Sequence, residues 1–363
     1  MAQKNTKTIV ITGTHHTPAL ELIKQLRNDP QIDWQIHYIG NIYPSETHIL
    51  HALMPSLRNN FHALDCGKFD RRFLSNTIKG IPKTIVAFFE ANRLIKRIKP
   101  DIVISFGGYV SVPVIVIASF HKIPTITHEQ TLTNSLSTKI NSYFVNKIAL
   151  SFNNTNQKKS LPSAKVVTTG NLIRSDIYLN STKTFSHLEK FLKQKPLLYI
   201  TGGNQGSRTV NDLILDILPD LLNKFTIIHQ VGSVNFPDIK KRTVGLSGYF
   251  PVEYVGAQDI GWIFHHSAII VSRSGANTCQ EIVLFHKPVI FIPLPYTQQN
   301  EQFLNAKWVK NNQPDRTIIL DQFTLTSSEL LTQIDKLSHK KITLEPVAAE
   351  INLNLLKLIH EIA

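Results

Sequence analysis

Three stretches of this chain set glycines, hydroxyls and side-chain amides where a strand-like run gives way to a helical one, and these residue types hold phosphates and sugars. The first is Pro196-Leu-Leu-Tyr-Ile-Thr-Gly-Gly-Asn-Gln-Gly-Ser-Arg-Thr-Val-Asn211. An apolar run from Leu197 to Thr201 stops at Gly202-Gly203, and a helical pattern starts near Arg208. Glycine lets backbone approach a ligand with no Cβ in the way. A turn leading into a helix also aims free N–H groups at one point, with the positive end of the helix dipole behind them. Phosphate suits such a point. An ordinary βα turn shows the same glycine pair, so the weight lies in the recurrence of the pattern.

The second stretch is Ala268-Ile-Ile-Val-Ser-Arg-Ser-Gly-Ala-Asn-Thr-Cys-Gln-Glu281. A strand is predicted to end at Ser272 and a helix to begin at Ser274-Gly275, which puts Ser274, Thr278 and Glu281 on one helical face. The helix start is again an anion site, and an ionised Glu, which only accepts, suits the two hydroxyls of a ribose. An N-capping serine and a solvated glutamate would give the same letters. In the third stretch, Phe291-Ile-Pro-Leu-Pro-Tyr296 leads to Gln298, Gln299, Asn300, Glu301, Gln302 and Asn305. Such groups donate to and accept from sugar hydroxyls, although a polar helix end reads the same way. No Asp-x-Asp precedes an acidic cluster, and Cys66 and Cys279 have no metal-ligand spacing. No metal and no tightly bound cofactor is expected.

The elements that position these residues read as α/β. In the first half, strands are predicted at Lys7–Thr12, Trp34–Gly40, Asp101–Phe106 and Pro124–His128, alternating with helical stretches. Pro18 opens the first helix, with Thr17 as its N-cap. Polar, breaker-rich residues 152–164 and 175–195 bracket a domain boundary. The second half repeats the alternation, with strands near 197–201, 225–231, 251–255, 268–272, 288–293 and 316–320. Long apolar strands between helices imply parallel sheets covered on both faces. The expected architecture is two Rossmann-like, doubly wound domains facing a cleft, over 1–165 and 170–345. The apolar helical pattern of 346–363 is expected to pack back on the first domain. Ligands sit beyond the carboxyl ends of such strands. His15, Gly107-Gly108-Tyr109 and His128-Glu129-Gln130 fall there in the first half.

Length and composition allow this: 363 residues give room for two full cores, and 42% hydrophobic residues exclude a disordered chain. The two cysteines fit a reducing cytosol. No signal-peptide pattern opens the chain, and its longest apolar stretch, around Val112 to Phe120, is far short of a bilayer span. A soluble or peripheral protein is expected. Residues 1–170 hold 20 Lys/Arg against 9 Asp/Glu, whereas residues 171–363 hold 19 against 17. An excess confined to one half points to an anionic partner for that half.

Together, Thr-Gly-Gly-Asn-Gln-Gly-Ser-Arg at 201–208, Ser-Arg-Ser-Gly-Ala-Asn-Thr at 272–278 and Pro-Leu-Pro-Tyr with Glu-Gln-x-x-Asn-Ala at 293–306 resemble the MurG family of N-acetylglucosaminyltransferases. Phe-Gly-Gly-Tyr-Val-Ser-Val-Pro at 106–113, His-Glu-Gln at 128–130 and Gly-Asn-Leu-Ile-Arg at 170–174 extend the likeness to about residues 8–310. The resemblance implies a glycosyltransferase-B fold and inverting transfer of GlcNAc from UDP-GlcNAc to an undecaprenyl-diphosphate-linked muramoyl peptide in peptidoglycan synthesis. The implied setting is the cytoplasmic face of the cell membrane, with an anionic inner-membrane surface as partner and no nucleic acid.

Carried over by position, Gly203, Asn204, Gln205, Arg174 and Ser274 to Thr278 (with Gly275, Ala276 and Asn277) meet the donor. Glu281 meets the ribose, Glu301 and Gln302 the GlcNAc hydroxyls, and Ala257 the uracil. Thr12, Gly13, Thr14 and Thr131 are also implied on the donor side, and Tyr109 and Asn211 on the acceptor side. His15 and Glu129 are the implied catalytic pair, with His16 as a competitor for the base. This chain departs from the family in its glycine-poor first loop, Thr12-Gly-Thr-His-His-Thr-Pro18, and in Thr131, Val112 and Asn204. Another UDP-sugar-dependent glycolipid transferase, a UDP-GlcNAc 2-epimerase and a non-catalytic nucleotide-sugar-binding protein are the alternatives. A Rossmann dehydrogenase is disfavoured, since no Gly-x-Gly-x-x-Gly precedes a spaced acidic residue.

Residues 68–89 interleave cations with aromatics: Lys68, Arg71, Arg72 and Lys79 lie among Phe69, Phe73, Leu74 and Ile78. That mixture suits an anionic leaflet. Gly80 and Pro82 are expected to break the stretch, after which Ile85, Val86, Phe88 and Phe89 form the core face of an ordinary helix.

Overall fold

The computed structural model describes residues 5–41, 55–67, 74–203, 205–340 and 352–363, with 55–56, 74–79 and 298 described by backbone alone. Lys68, Phe69, Arg71, Arg72, Phe73 and Asn204 lie outside the described residues, and Leu74, Ile78 and Lys79 are placed only as helix backbone. The chain forms two compact units, Met1–Arg174 with Ile351–Ala363, and Ser175–Glu350.

The first unit is a 7-stranded parallel sheet ordered β3-β2-β1-β4-β5-β6-β7. Its strands are β1 (Asn5–Thr12), β2 (Ile32–Gly40), β3 (Phe61–Ala63), β4 (Ile102–Ser105), β5 (Thr125–Glu129), β6 (Lys147–Leu150) and β7 (Val166–Thr168). The two-residue period of a strand splits β1 between two cores. Ile9 and Ile11 pack with Leu22, Ile23 and Trp34 on one face, while Val10 packs with Val103, Val114 and Ile148 on the other. The helix Asn354–Ile362 completes the first of these cores with Leu355, Leu356, Leu358 and Ile359. Asn352 fastens its approach by donating to the carbonyls of Thr169 (2.9 Å) and Asn171 (3.0 Å). His360 Nε2 lies 2.6 Å from Asp29 Oδ2, which also accepts from Trp34 Nε1.

The second unit is a 6-stranded parallel sheet ordered β10-β9-β8-β11-β12-β13. Its strands are β8 (Leu197–Thr201), β9 (Thr226–Gln230), β10 (Tyr249–Val252), β11 (Ser267–Ser272), β12 (Val289–Phe291) and β13 (Thr317–Ile319). Leu198 and Ile200 of β8 join Ile269 and Val271 of β11 in one core with Val210, Ile214 and Leu330.

Three local expectations are corrected. The first helix is His16–Arg27, so Pro18 is its third residue and not its first. The first turn of a helix has no intrahelical use for its N–H groups, which makes that place as acceptable for proline. Gly80 and Pro82 do not break the next helix, which runs unbroken over Leu74–Ile98. Thr84 Oγ1 donates to the Gly80 carbonyl at 3.0 Å, adding a side-chain bond in the same turn. Nor do Ile85, Val86 and Phe89 face the core, for they are 53, 52 and 72% exposed. Ala87, Ala91 and Ile95 are its buried side. Among the described residues no helix is long and apolar enough to cross a membrane.

Candidate functional site

Each sheet has one place where neighbouring strands send their connections to opposite sides, and a crevice opens at the carboxyl ends there. In the first unit that place is between β1 and β4. The backbones after them are interlocked: Thr14 N donates to the Gly107 carbonyl at 3.1 Å, and a Cβ on Gly13 would sit 2.7 Å from that same oxygen. Gly13 also has φ +132, closed to other residues. A single glycine in this loop therefore suffices for close approach, because Gly107 and Gly108 supply the rest from the facing loop.

His15 stands at this crossing. A Cβ on Gly107 would lie 3.3 Å from its Cδ2 and 3.6 Å from its Nε2. Burial lowers the His15 pKa, and the neighbouring Glu129 charge works against that, so the ring is neutral yet has a carboxylate near it when it takes a proton. His16 is differently held. Its Nδ1 lies 3.2 Å from Tyr38 Oη, which donates to the Gly13 carbonyl at 3.0 Å. Burial first, and then His15, push the His16 pKa down to about 4.

Glu129 ends β5 and is 3% exposed. It accepts four hydrogen bonds: from Thr131 N (3.2 Å), Thr131 Oγ1 (2.9 Å), Ser135 N (2.9 Å) and Thr138 Oγ1 (2.7 Å). Its carboxylate thus clamps residues 131–138, the loop and first turn of the helix Leu136–Phe144. Thr131 is one of its donors. Tyr109 Oη accepts from Asn41 Nδ2, and Thr12 is fully buried with no partner for its hydroxyl among the described residues. Arg174 is half-buried at the end of this unit.

In the second unit the crevice falls between β8 and β11. Gly203 has φ +86, and neither there nor at Gly275 would a Cβ meet anything within 4 Å. Gly202 and Gly206 differ: their Cβ atoms would be 2.3 Å from Ser207 N and 2.2 Å from the Val231 carbonyl. Two of these glycines build the turn, and the other two leave open space over it. Ser207 caps the helix Arg208–Asp216 by accepting from Val210 N at 3.4 Å. Gln205 is exposed beside them.

The helix after β11 is Ala276–Leu284, with Gly275 as its N-cap. Ser274 is therefore outside it and does not share a face with Thr278. Its hydroxyl donates to the Gln302 carbonyl at 2.8 Å, while Asn305 Nδ2 donates back to the Ser274 carbonyl at 3.1 Å. Ala276, Asn277 and Thr278 form the first turn, and Glu281 beyond them is 1% exposed, buried where solvation was the plain alternative. Gln302 Oε1 accepts from Leu294 N at 2.8 Å, and half-buried Glu301 starts the helix Glu301–Asn312. Ala257 begins the helix Ala257–His266 after its N-cap Gly256. Asn211 faces inward: it is 1% exposed and donates to the Val231 carbonyl at 3.0 Å.

Two side chains to which the sequence reading gave no individual role tie this crevice together. Gln230, at the end of β9, donates to the Gly203 carbonyl (2.8 Å) and accepts from Val255 N (3.0 Å), two residues before Ala257. Arg273 reaches the loops after β8, β12 and β13. The signal in the sequence was an arginine directly after an apolar strand and inside the motif at 272–278. Among the described residues no group of His, Cys, Asp and Glu is placed to hold a metal ion.

Comparison with known proteins adds lineage to this geometry. The glycosyltransferase family 28 N-terminal domain matches residues 8–150, and the family's C-terminal domain matches residues 197–362. A UDP-N-acetylglucosamine–N-acetylmuramyl-(pentapeptide) pyrophosphoryl-undecaprenol N-acetylglucosamine transferase of Lachnospira eligens is 34% identical over 336 residues, 91% of each chain. The protein of the same name from Clostridium tetani is 31% identical over 340 residues, 92% of this chain and 91% of that one. Among solved structures, Acinetobacter baumannii MurG superposes with a TM-score of 0.66 at 20% identity, covering 98% of this chain and 100% of the other. UDP-GlcNAc 2-epimerase from Neisseria meningitidis, bound to UDP-GlcNAc, gives 0.64 at 15% identity over 98% and 99%. At such identities both likenesses speak to the fold alone.

Proposed function

The chain belongs to glycosyltransferase family 28, and from that premise we propose that it is the N-acetylglucosaminyltransferase that moves GlcNAc from UDP-GlcNAc onto an undecaprenyl-diphosphate-linked muramoyl peptide. The observation that carries the reading is identity above 30% to transferases of that name along nine-tenths of both chains. The epimerase likeness stands at 15% identity and speaks to the fold alone.

The second unit is the donor's. UDP lies over the open glycines Gly203 and Gly275, with its diphosphate at the first turn of Ala276–Leu284. Glu281 takes the ribose, the backbone before Ala257 the uracil, and Glu301 and Gln302 the sugar hydroxyls. The first unit is the acceptor's. His15, neutral by burial, takes the proton of the attacking hydroxyl, and Glu129 stabilises the imidazolium that forms while it holds the 131–138 loop. Its four filled acceptor positions make Glu129 the partner of the base and leave the proton to His15. The departing diphosphate is stabilised by helix N–H groups and by Arg174, with no metal called for.

The same reading puts the enzyme on the cytoplasmic face of the membrane, where its acceptor's lipid tail is held. Exposed Ile81, Ile85, Val86 and Phe89 on Leu74–Ile98, and exposed Phe120 on the helix Ser111–Phe120 that packs against it, support that. Lys68, Arg71, Arg72 and Lys79 are assigned to the membrane from their sequence alone, their side chains lying outside the described residues. Incubation with radiolabelled UDP-GlcNAc and purified lipid I tests the function directly. Labelled lipid II is the expected product, and free ManNAc or no transfer at all would overturn the proposal.

A further inference from the structure

Arg273 follows β11 directly and is 7% exposed, yet no carboxylate pairs with it among the described residues. Its guanidinium donates only to neutral acceptors. Nη1 meets the carbonyls of Ile292 (2.7 Å) and Pro293 (3.2 Å), and Nη2 meets Ser207 Oγ (2.7 Å) and Gln322 Oε1 (2.5 Å). Its backbone N–H donates to the Thr201 carbonyl at 3.3 Å. One side chain therefore fastens the segments that follow β8, β12 and β13 to the end of its own strand.

Bracing alone does not call for a charge here. A positive group held out of water without a counter-charge is costly, and burial accordingly draws the Arg273 pKa down to about 10. The cost is removed when an anion arrives within reach of the guanidinium's field. The place fits an anion. Arg273 bridges the two strands, β8 and β11, whose ends open the crevice of this unit. Gly203 and Gly275, in the loops that follow those two strands, have clear space where a side chain would be. Ser207, which it holds, caps one adjoining helix, and Gly275, two residues on, caps the other.

We propose that Arg273 is the positioning residue of the diphosphate subsite, setting the loops around the anion and supplying through space the positive charge that holds it. This rests on the UDP-sugar reading above. The charge matters most as the sugar–phosphate bond breaks, when the leaving diphosphate gains negative charge. Arg273 does not touch the sugar and transfers no proton.

The test compares UDP with uridine, which lacks the diphosphate, by calorimetry on the full chain. A brace that merely holds the fold moves both affinities together, whereas a charge acting on phosphate moves their ratio. Arg273→Met is expected to weaken UDP by roughly 10- to 100-fold, the range for losing an interaction with a charged group, and uridine by less than about threefold. Arg273→Lys keeps the charge but loses the fork, so its melting temperature falls while the UDP-to-uridine ratio stays within about threefold of wild type. Gln322→Met, which removes one brace and no charge, leaves the ratio unchanged. If Arg273→Met does not fold, the lysine variant decides, and a collapsed ratio there overturns the inference. Wild-type protein that binds both ligands, with UDP and uridine weakening in step in Arg273→Met, also overturns it and leaves the donor reading standing. Wild-type protein that binds neither ligand overturns the donor reading itself, and this inference with it.

Discussion

Gly275 allows a substitution whose effects on folding and on binding separate cleanly. Its φ of −64 and ψ of 148 are open to any L-residue, and an added Cβ would meet nothing within 4 Å. Gly275→Ala should therefore leave the folded protein almost untouched. Lower entropy of the unfolded chain favours alanine by about 0.4–1 kcal/mol. Alanine is a poorer N-cap than glycine by a similar amount, on the order of 0.5–1 kcal/mol. The two nearly cancel, leaving a net change within about 0.5 kcal/mol. If the diphosphate packs on this open face, the new methyl meets it at contact distance. Forcing a methyl into a packed contact costs about 1–3 kcal/mol, or roughly a 5- to 150-fold loss of UDP affinity. Gly206→Ala is the contrast, with φ +75 and its Cβ placed 2.2 Å from the Val231 carbonyl. It should lower the melting temperature as well as binding. Thermal unfolding and UDP calorimetry on both variants make the comparison. A Gly275→Ala protein that melts like wild type and binds UDP within about twofold would refute the placement of the ligand.

His15→Ala should cut turnover about 100-fold or more while UDP binding holds, as loss of a general base does; a larger loss of turnover from His16→Ala would instead make His16 the base. His229, fully buried against Tyr249 and titrating near 3 because of that burial, should give acid sensitivity. Its pKa is depressed on folding, so below about 6.5 the unfolded chain binds a proton that the folded chain refuses. Stability is then full above that pH and falls by about 1.4 kcal/mol per unit toward pH 3. Denaturation at pH 7 and pH 5 should show a shallower dependence for His229→Gln than for wild type, and equal slopes would count against it. Flotation with anionic liposomes should carry the protein upward at low salt and less at high salt, and Phe89→Ser with Phe120→Ser should reduce the bound fraction roughly tenfold. Unchanged flotation of that double variant would move the membrane surface elsewhere.

The α/β class was legible because buried parallel strands read as apolar runs, as β1, β4, β8 and β11 do, while β2 alternates apolar with polar residues and β5 carries β-branched Thr and Ile. The short strands β3, β6 and β7 were not, since three or four residues flanked by polar turns carry no period of their own. Chemistry-bearing loops were legible from glycine and hydroxyl content, but the jobs of individual residues were not. Ser274 reads as a helix cap until its hydroxyl is seen on the Gln302 carbonyl. Glu129 reads as a catalytic candidate in sequence, and its four donors, from three residues of one loop and helix start, are visible only in the fold. Exposure on Leu74–Ile98 ran against intuition because small Ala87 and Ala91 make the buried stripe there, which leaves the larger Ile85 and Phe89 outside. Arg273 and Gln230 act on backbone and side-chain atoms far away in sequence, and no local pattern announces such partners.

The return of Asn354–Ile362 to the first sheet also fixes an order of events during synthesis. Leu355, Leu356, Leu358 and Ile359 belong to the core that holds Ile9 and Ile11, and Lys7 Nζ reaches the Ala363 carbonyl at 2.8 Å. On a ribosome adding about 5–20 residues per second, the wait between Arg174 and Asn352 lasts on the order of 10–40 seconds. Throughout it the side of the first sheet that packs on Leu22 and Ile23 lacks its last layer, while Ser175–Glu350 draws on no residue beyond itself and has its full chain by the time Asn352 is added. The unit translated first is thus the one finished last. A nascent chain arrested in that interval would show chaperones an apolar strip that the released protein hides.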